Sequence, residues 1–213
     1  MDPNEPEEIR QVGALMAETF LLREPVSHAL ATSNPKFPAA LRAYSQAFSE
    51  ACAVSGLTPI AKAADGAVVG LIMAEHWDST KEPGPPAAGD GAVRCNGSGA
   101  LGDYKESKVV ELTMGTVRPD FEGAGLADRL VFLALLNAYQ HGYDQVMTKS
   151  TSNSRLSLKR AGFVMIAELS YQEYEYQGER PFQSIEYPLI IQLLWGDILS
   201  LADTYQGPAW RLQ

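Results

Sequence analysis

Apolar positions recur at helical spacing over Glu5–Phe20, where Ile9, Val12, Leu15, Met16 and Phe20 share one face. Pro25 breaks that pattern. A second stripe, Leu41, Tyr44, Phe48 and Ala51, predicts a helix over Pro38–Ser55 that stops at Gly56. Thr58–Ala64 and Ala67–Glu75 read as two strands joined by an Asp65-Gly66 hairpin turn. Ser79–Lys108 holds Pro83, Pro85 and Pro86 with little apolar content, and reads as a long flexible loop. Val109–Val117 is a β-branched run with Val109, Glu111, Thr113, Gly115 and Val117 on one face. A short turn follows, and Glu122-Gly123-Ala124-Gly125-Leu126-Ala127 opens a long apolar helix that ends at Gly142. Gln145–Lys149 reads as a strand. Asn153–Ala161 reads as a short helix, capped by Ser152 or Asn153 and stopped by Gly162. Phe163–Tyr176 and Ser184–Trp195 read as the last strands, ahead of an amphipathic tail. The order α–α–β–β–β–α–β–α–β–β predicts an α/β (α+β) domain with a mixed, mostly antiparallel sheet. One domain over 1–213 is expected, with 79–108 as an insertion and no internal repeat.

Composition narrows the chemistry. The 213 residues are 46% hydrophobic, enough for a real core. Lys and Arg number 17 against 26 Asp and Glu, a net charge of −9, which disfavours a nucleic-acid face and suits a cationic or amine substrate. Cys52 and Cys95 are too few for a disulfide scaffold or a cysteine metal site. His28, His76 and His141 show no metal-ligand spacing, so no metal is expected. No apolar run is long enough to span a membrane, and the acidic start is unlike a signal peptide. A soluble, cytoplasmic protein, monomer or homodimer, is the expectation.

The junction after Val117 carries the clearest chemistry. A strand, a glycine loop and a helix N-terminus follow one another. The N–H groups of a first helical turn have no intrahelical acceptor, and the positive end of the helix dipole lies behind them. Glycines let a diphosphate approach such a backbone closely.

The same residues carry a family resemblance. Val117-Arg118-Pro119 resembles the V-x-P strand end of the GCN5-related N-acetyltransferase (GNAT) superfamily. Glu122 to Ala127 is similar to its acyl-CoA pyrophosphate loop, and Lys159-Arg160-Ala161-Gly162-Phe163 to the K-x-G-F end of its next helix. The resemblance covers about half of the chain, with 109–163 as the acyl-CoA-binding core. It implies a sheet splayed after Val117, acetyl-CoA as cosubstrate, and direct attack of an amine on the thioester. The cofactor-binding residues it implies are Thr116, Val117, Glu122, Gly123, Ala124, Gly125, Leu126, Ala127, Asn153 and Lys159. Two positions depart from the family: Glu122 stands where Gln or Arg is usual, and Leu158 where a Tyr often serves as general acid.

The N-terminal half resembles the insect-type arylalkylamine N-acetyltransferases more closely. Phe20 to Val26 is similar to their F-x-x-x-E-P-L signature, and Asp65 to Gly70 to their D-G-x-x-V-G hairpin. Ser150 and Ser154 stand thirteen and nine residues before Phe163, which is the subfamily spacing. That resemblance implies Glu24 as general base and Ser150 and Ser154 as proton-transfer groups. Glu111 is the rival base, because many superfamily members carry a glutamate on this strand. Tyr171, Tyr174 and Tyr176 are candidates either for an amine pocket or for strand packing. The expected function is N-acetylation of a small primary amine, an arylalkylamine or polyamine. Peptide or protein acetylation and non-catalytic acyl-CoA sensing are the alternatives.

Overall fold

The structure, a computed structural model, describes residues 1–77, 94–95, 108–151, 154 and 158–205. Asn153 and nearly all of the expected 79–108 loop lie outside these residues. Two compact units are present: Met1–Glu75 with Glu111–Tyr143, and His76–Val110 with Asp144–Gln213.

The first unit begins with three helices, α1 (Pro6–Arg23), α2 (Pro25–Ser33) and α3 (Phe37–Ser55). α2 is absent from the sequence reading. The sequence pattern gives Pro25 only as a breaker, but proline is equally suited to the first position of a new helix, where its missing N–H costs nothing. Residues 1–5 contain no strand. The α1 stripe is as expected, with Ile9, Val12 and Met16 buried. The buried face of α3 is rotated from expectation. Leu41, Ser45, Ser49, Cys52 and Ala53 point inward, whereas Tyr44 is 51% exposed and stacks on Phe48 at 5.6 Å. The reason is close helix packing: a Cβ on Gly13 of α1 would stand 2.9 Å from the Gln46 side chain of α3. Small side chains on the α3 seam permit that approach, and tyrosine does not.

Two strands follow, β1 (Ile60–Lys62) and β2 (Val68–His76), paired antiparallel through the expected Asp65-Gly66 turn. Gly66 has φ +86°, and the Asp65 carboxylate accepts from the Ala67 N–H at 3.0 Å. Val68 to Ala74 are all buried, a continuous run rather than an alternation, as in a strand covered on both faces. Val12, Met16, Cys52, Val68, Leu71 and Met73 form the core between α1, α3 and β2. Strand β3 (Arg94–Cys95) belongs to the second unit and lies within the stretch read as loop. Strand β4 (Val109–Val117) has the expected bounds. A 3-10 turn (Pro119–Phe121) leads from it to α4 (Leu126–Gln140), and Gly142 follows with φ +78°. In this unit the strand order is β1-β2-β4.

The second unit holds β5 (Gln145–Thr151), β6 (Val164–Ser170), β7 (Ile190–Asp197) and α5 (Ile198–Tyr205), with strand order β5-β7-β6-β3. Its three strand pairs are antiparallel. Both last strands are shorter than expected. β6 ends at Ser170 because Tyr171, Tyr174 and Phe182 fold into an aromatic cluster, with ring centroids at 5.5 and 6.2 Å. β7 starts only after the cis Tyr187–Pro188 bond. The amphipathic tail is α5, whose Leu201 packs over two glycines: a Cβ on Gly196 would lie 2.5 Å from it. No helix among the described residues is long and apolar enough to cross a membrane.

Candidate active site

In the first unit, β4 delivers the chain to the glycine loop. Gly123 and Gly125 adopt φ +77° and +70°, and nothing lies within 4 Å of a Cβ placed on either. Glycine is needed there for backbone conformation rather than for packing. Gly125 is the N-cap of α4 and offers no capping side chain. The first intrahelical bond runs from the Arg129 N–H to the Gly125 carbonyl, so the N–H groups of Leu126, Ala127 and Asp128 have no acceptor in the helix. The residues present therefore fit a diphosphate: an open loop, two glycines and a free helix end.

Glu122, the expected flaw in this cradle, does not face it alone. Its carboxylate forms a two-pronged ion pair with Arg23, the last residue of α1, with Nη1 on Oε1 and Nη2 3.4 Å from Oε2. The Arg23 hydrogen bond holds the Glu122 carboxyl below its ordinary pKa. Arg118 is also occupied. It binds Asp120 through Nε at 2.7 Å and Nη2 at 2.8 Å, and lies over the Phe121 ring at 4.7 Å. Thr116, just before the loop, is 6% exposed, and its hydroxyl has no hydrogen-bond partner among the described residues.

Glu24 sits between α1 and α2 and serves both. Its N–H closes α1 onto the Phe20 carbonyl at 3.1 Å. Its carboxylate caps α2, accepting from Val26 N–H at 3.1 Å and Ser27 N–H at 2.6 Å. The capping role follows from an acidic residue ahead of proline. Glu111, the rival base, is 7% exposed on β4. It shares a face with Thr113, whose hydroxyl donates to the Met73 carbonyl at 3.3 Å.

In the second unit, Ser150 is 1% exposed near the end of β5. Its Oγ lies 2.8 Å from Ser154 Oγ and donates to the Thr151 carbonyl at 3.1 Å. The two serines picked out by spacing are thus hydrogen-bonded to each other. Opposite Ser150 on β7 stands Gln192, itself opposite Glu168 on β6. Gln192 donates to Glu168 at 3.0 Å, and its Oε1 has no partner among the described residues. This polar row was not found in the sequence, although a glutamine within an apolar strand was the available signal. Leu158 is 7% exposed and Lys159 is exposed.

No protein-family model and no curated protein matches the chain. Solved structures do. An arylalkylamine N-acetyltransferase 2 from Aedes aegypti is 15% identical, with TM-score 0.64 over 93% of this chain and 96% of that one. A Drosophila melanogaster polyamine N-acetyltransferase, which forms N-acetylagmatine, is 19% identical, with TM-score 0.66 over 92% and 97%. The NatC complex bound to Gag peptide and CoA contains a chain 15% identical, with TM-score 0.53 over 92% and 94%. With these likenesses spanning nearly its full length, the chain has the GNAT fold.

Proposed function

We propose that this protein transfers an acetyl group from acetyl-CoA to a small primary amine of the arylalkylamine or polyamine type. The observation that carries this reading is the junction of β4 and α4. There, two positive-φ glycines lead into a helix end with unclaimed N–H groups, and the neighbouring glutamate is held by Arg23. Gly123, Ala124, Gly125, Leu126 and Ala127 would hold the diphosphate through their backbone, with Thr116 and Val117 beside the pantetheine arm. Names of full-length structural neighbours support small amines as the substrate class.

In the reaction, the amine nitrogen bonds to the acetyl carbon and the carbon–sulfur bond breaks. The ammonium form of the amine must first lose a proton, and the departing thiolate gains one. Glu24 is assigned the first task, with Glu111 as the alternative, and the Ser150–Ser154 pair the second. The serine pair stands in for the tyrosine that Leu158 replaces.

Thiol release from acetyl-CoA, measured over arylalkylamines, polyamines and peptides with free N-termini or lysines, tests the proposal. Release with small amines is expected. Release with peptides alone makes the protein a peptide acetyltransferase. Tight CoA binding without release for any amine makes it a sensor.

A further inference from the structure

The glycine loop lacks the cation or amide that the pyrophosphate position calls for, because Glu122 occupies it. Any bound diphosphate would bring at least two negative charges next to that carboxylate. The charge must be compensated from elsewhere in the fold. Arg118, the nearest arginine in sequence, is committed to Asp120 through two hydrogen bonds and lies over Phe121. Arg23 is different. It arrives from 99 residues earlier and meets Glu122, the residue directly before Gly123.

We propose that Arg23 is the cationic member of the diphosphate cradle, delivered by the end of α1 to neutralise Glu122 and to donate to the phosphate oxygens. This rests on the acyl-CoA reading given above. A guanidinium has five N–H donors in a planar fork. The ion pair engages Nη1 and Nη2, so further N–H donors are left for an anion. The pair is 48% and 44% exposed, so an incoming ligand can reach it. Because Glu122 and Gly123 are adjacent, the ion pair holds the guanidinium within reach of the loop N–H groups. Arg23 also immediately precedes Glu24. The cofactor loop and the turn carrying the candidate base are therefore tied together by one ion pair.

The size of the effect follows from Coulomb's law. At about 8 Å in water-like surroundings, removing one positive charge facing two phosphate charges weakens binding roughly three- to tenfold. The loss is greatest at low salt, where the screening length exceeds that separation. A merely structural tether predicts no dependence on the phosphates, because its loss would weaken donors with and without a diphosphate alike.

The experiment is calorimetric titration of CoA into the wild-type chain, Arg23→Ala, Arg23→Gln, Glu122→Gln and the Arg23→Ala/Glu122→Gln double variant, at low and high salt. S-acetylpantetheine, which has no diphosphate, is compared as acyl donor by its KM. The expected result is a three- to tenfold weaker CoA affinity for both Arg23 variants, larger at low salt, with an unchanged KM for S-acetylpantetheine. Glu122→Gln should bind at least as tightly as wild type, and should restore part of the affinity lost in Arg23→Ala. Wild-type affinity in both Arg23 variants overturns the proposal, as does an equal loss with S-acetylpantetheine. If the wild-type chain itself does not bind CoA, the acyl-CoA reading fails, and this inference with it.

Discussion

Glu24 has a structural task and a proposed chemical one, and the two differ in size. Its carboxylate accepts from the N–H groups of Val26 and Ser27 at the start of α2. Glu24→Ala removes both acceptors from a half-buried turn. Losing an N-cap costs about 0.5–2 kcal/mol, with the upper part of the range expected for two bonds to a charged acceptor. For a chain of this size that lowers Tm by about 2–8 °C. Glu24→Gln keeps one oxygen acceptor and should lose about half as much, chiefly the attraction between the carboxylate and the helix dipole. Such losses are small beside a typical stability of about 5–15 kcal/mol, so each variant stays folded at 25 °C. General-base catalysis is worth about 10²–10⁴ in rate, or about 3–5 kcal/mol of barrier. No plausible loss of folded protein imitates that. Glu24→Asp separates the roles further, since aspartate caps helices at least as well but withdraws the carboxylate by one methylene. Thermal unfolding and amine-dependent thiol release on the same samples make the comparison. The expected pattern is a near-native Tm for Glu24→Asp and Glu24→Gln with a rate at least a hundredfold lower. A Glu24→Gln rate within about threefold of wild type refutes Glu24 as base and passes the role to Glu111. A Glu24→Ala variant with an unchanged Tm refutes the capping account.

Three further outcomes are expected. Ser150→Ala and Ser154→Ala should each slow thiol release, and the double variant should be little slower than either, because the hydroxyls bond to each other; additive losses in the cycle show that they act separately. Burial works against the Glu8 charge, but Lys62, the Asp2 N–H and nearby positive charge hold its carboxyl below the ordinary value. Its contribution is present above the unfolded pKa of about 4.3 and is lost as pH falls through the lower folded value. Glu8→Gln should therefore lower stability at pH 7 and flatten its decline below about pH 5, and an unaltered acid limb in urea titrations counts against this. Burial, aided by the Glu75 charge, pushes the Cys52 thiol up to about 12. Iodoacetamide at pH 8 should label the Cys52 peptide only after denaturation, and rapid labelling of the folded chain contradicts the assigned core.

The elements legible in the sequence are those with a strong local period. The α1 stripe, the Asp65-Gly66 hairpin, the full length of β4 and the glycine-led start of α4 stand as expected. Where one local signal has two meanings, reading failed. Pro25 marks both the end of α1 and the first turn of α2, and tyrosines suit both a strand and an aromatic cluster. On α3 the apolar stripe through Tyr44 was the louder pattern. The seam that packs is the quieter one through Ser45, Ser49 and Cys52, because it lets the helices approach closely.

At the site the division is similar. The positive-φ turns at Gly123 and Gly125 and the contact between Ser150 and Ser154 are legible in the chain because each depends on backbone conformation or on a partner four residues away. By itself the sequence determined the glycine-led start of α4, the spacing of Ser150 and Ser154 and most of the regular elements, α2 and β3 excepted, all set by interactions within a few residues. Only the tertiary structure decided what Glu122 does. Whether that carboxylate opposes a diphosphate depends on Arg23, 99 residues away, and on where the end of α1 comes to rest. The same holds for the Gln192–Glu168 row, which exists only once β7 lies between β5 and β6. Short-range chemistry is written in spacing, whereas charge compensation between distant segments exists only after the chain has folded.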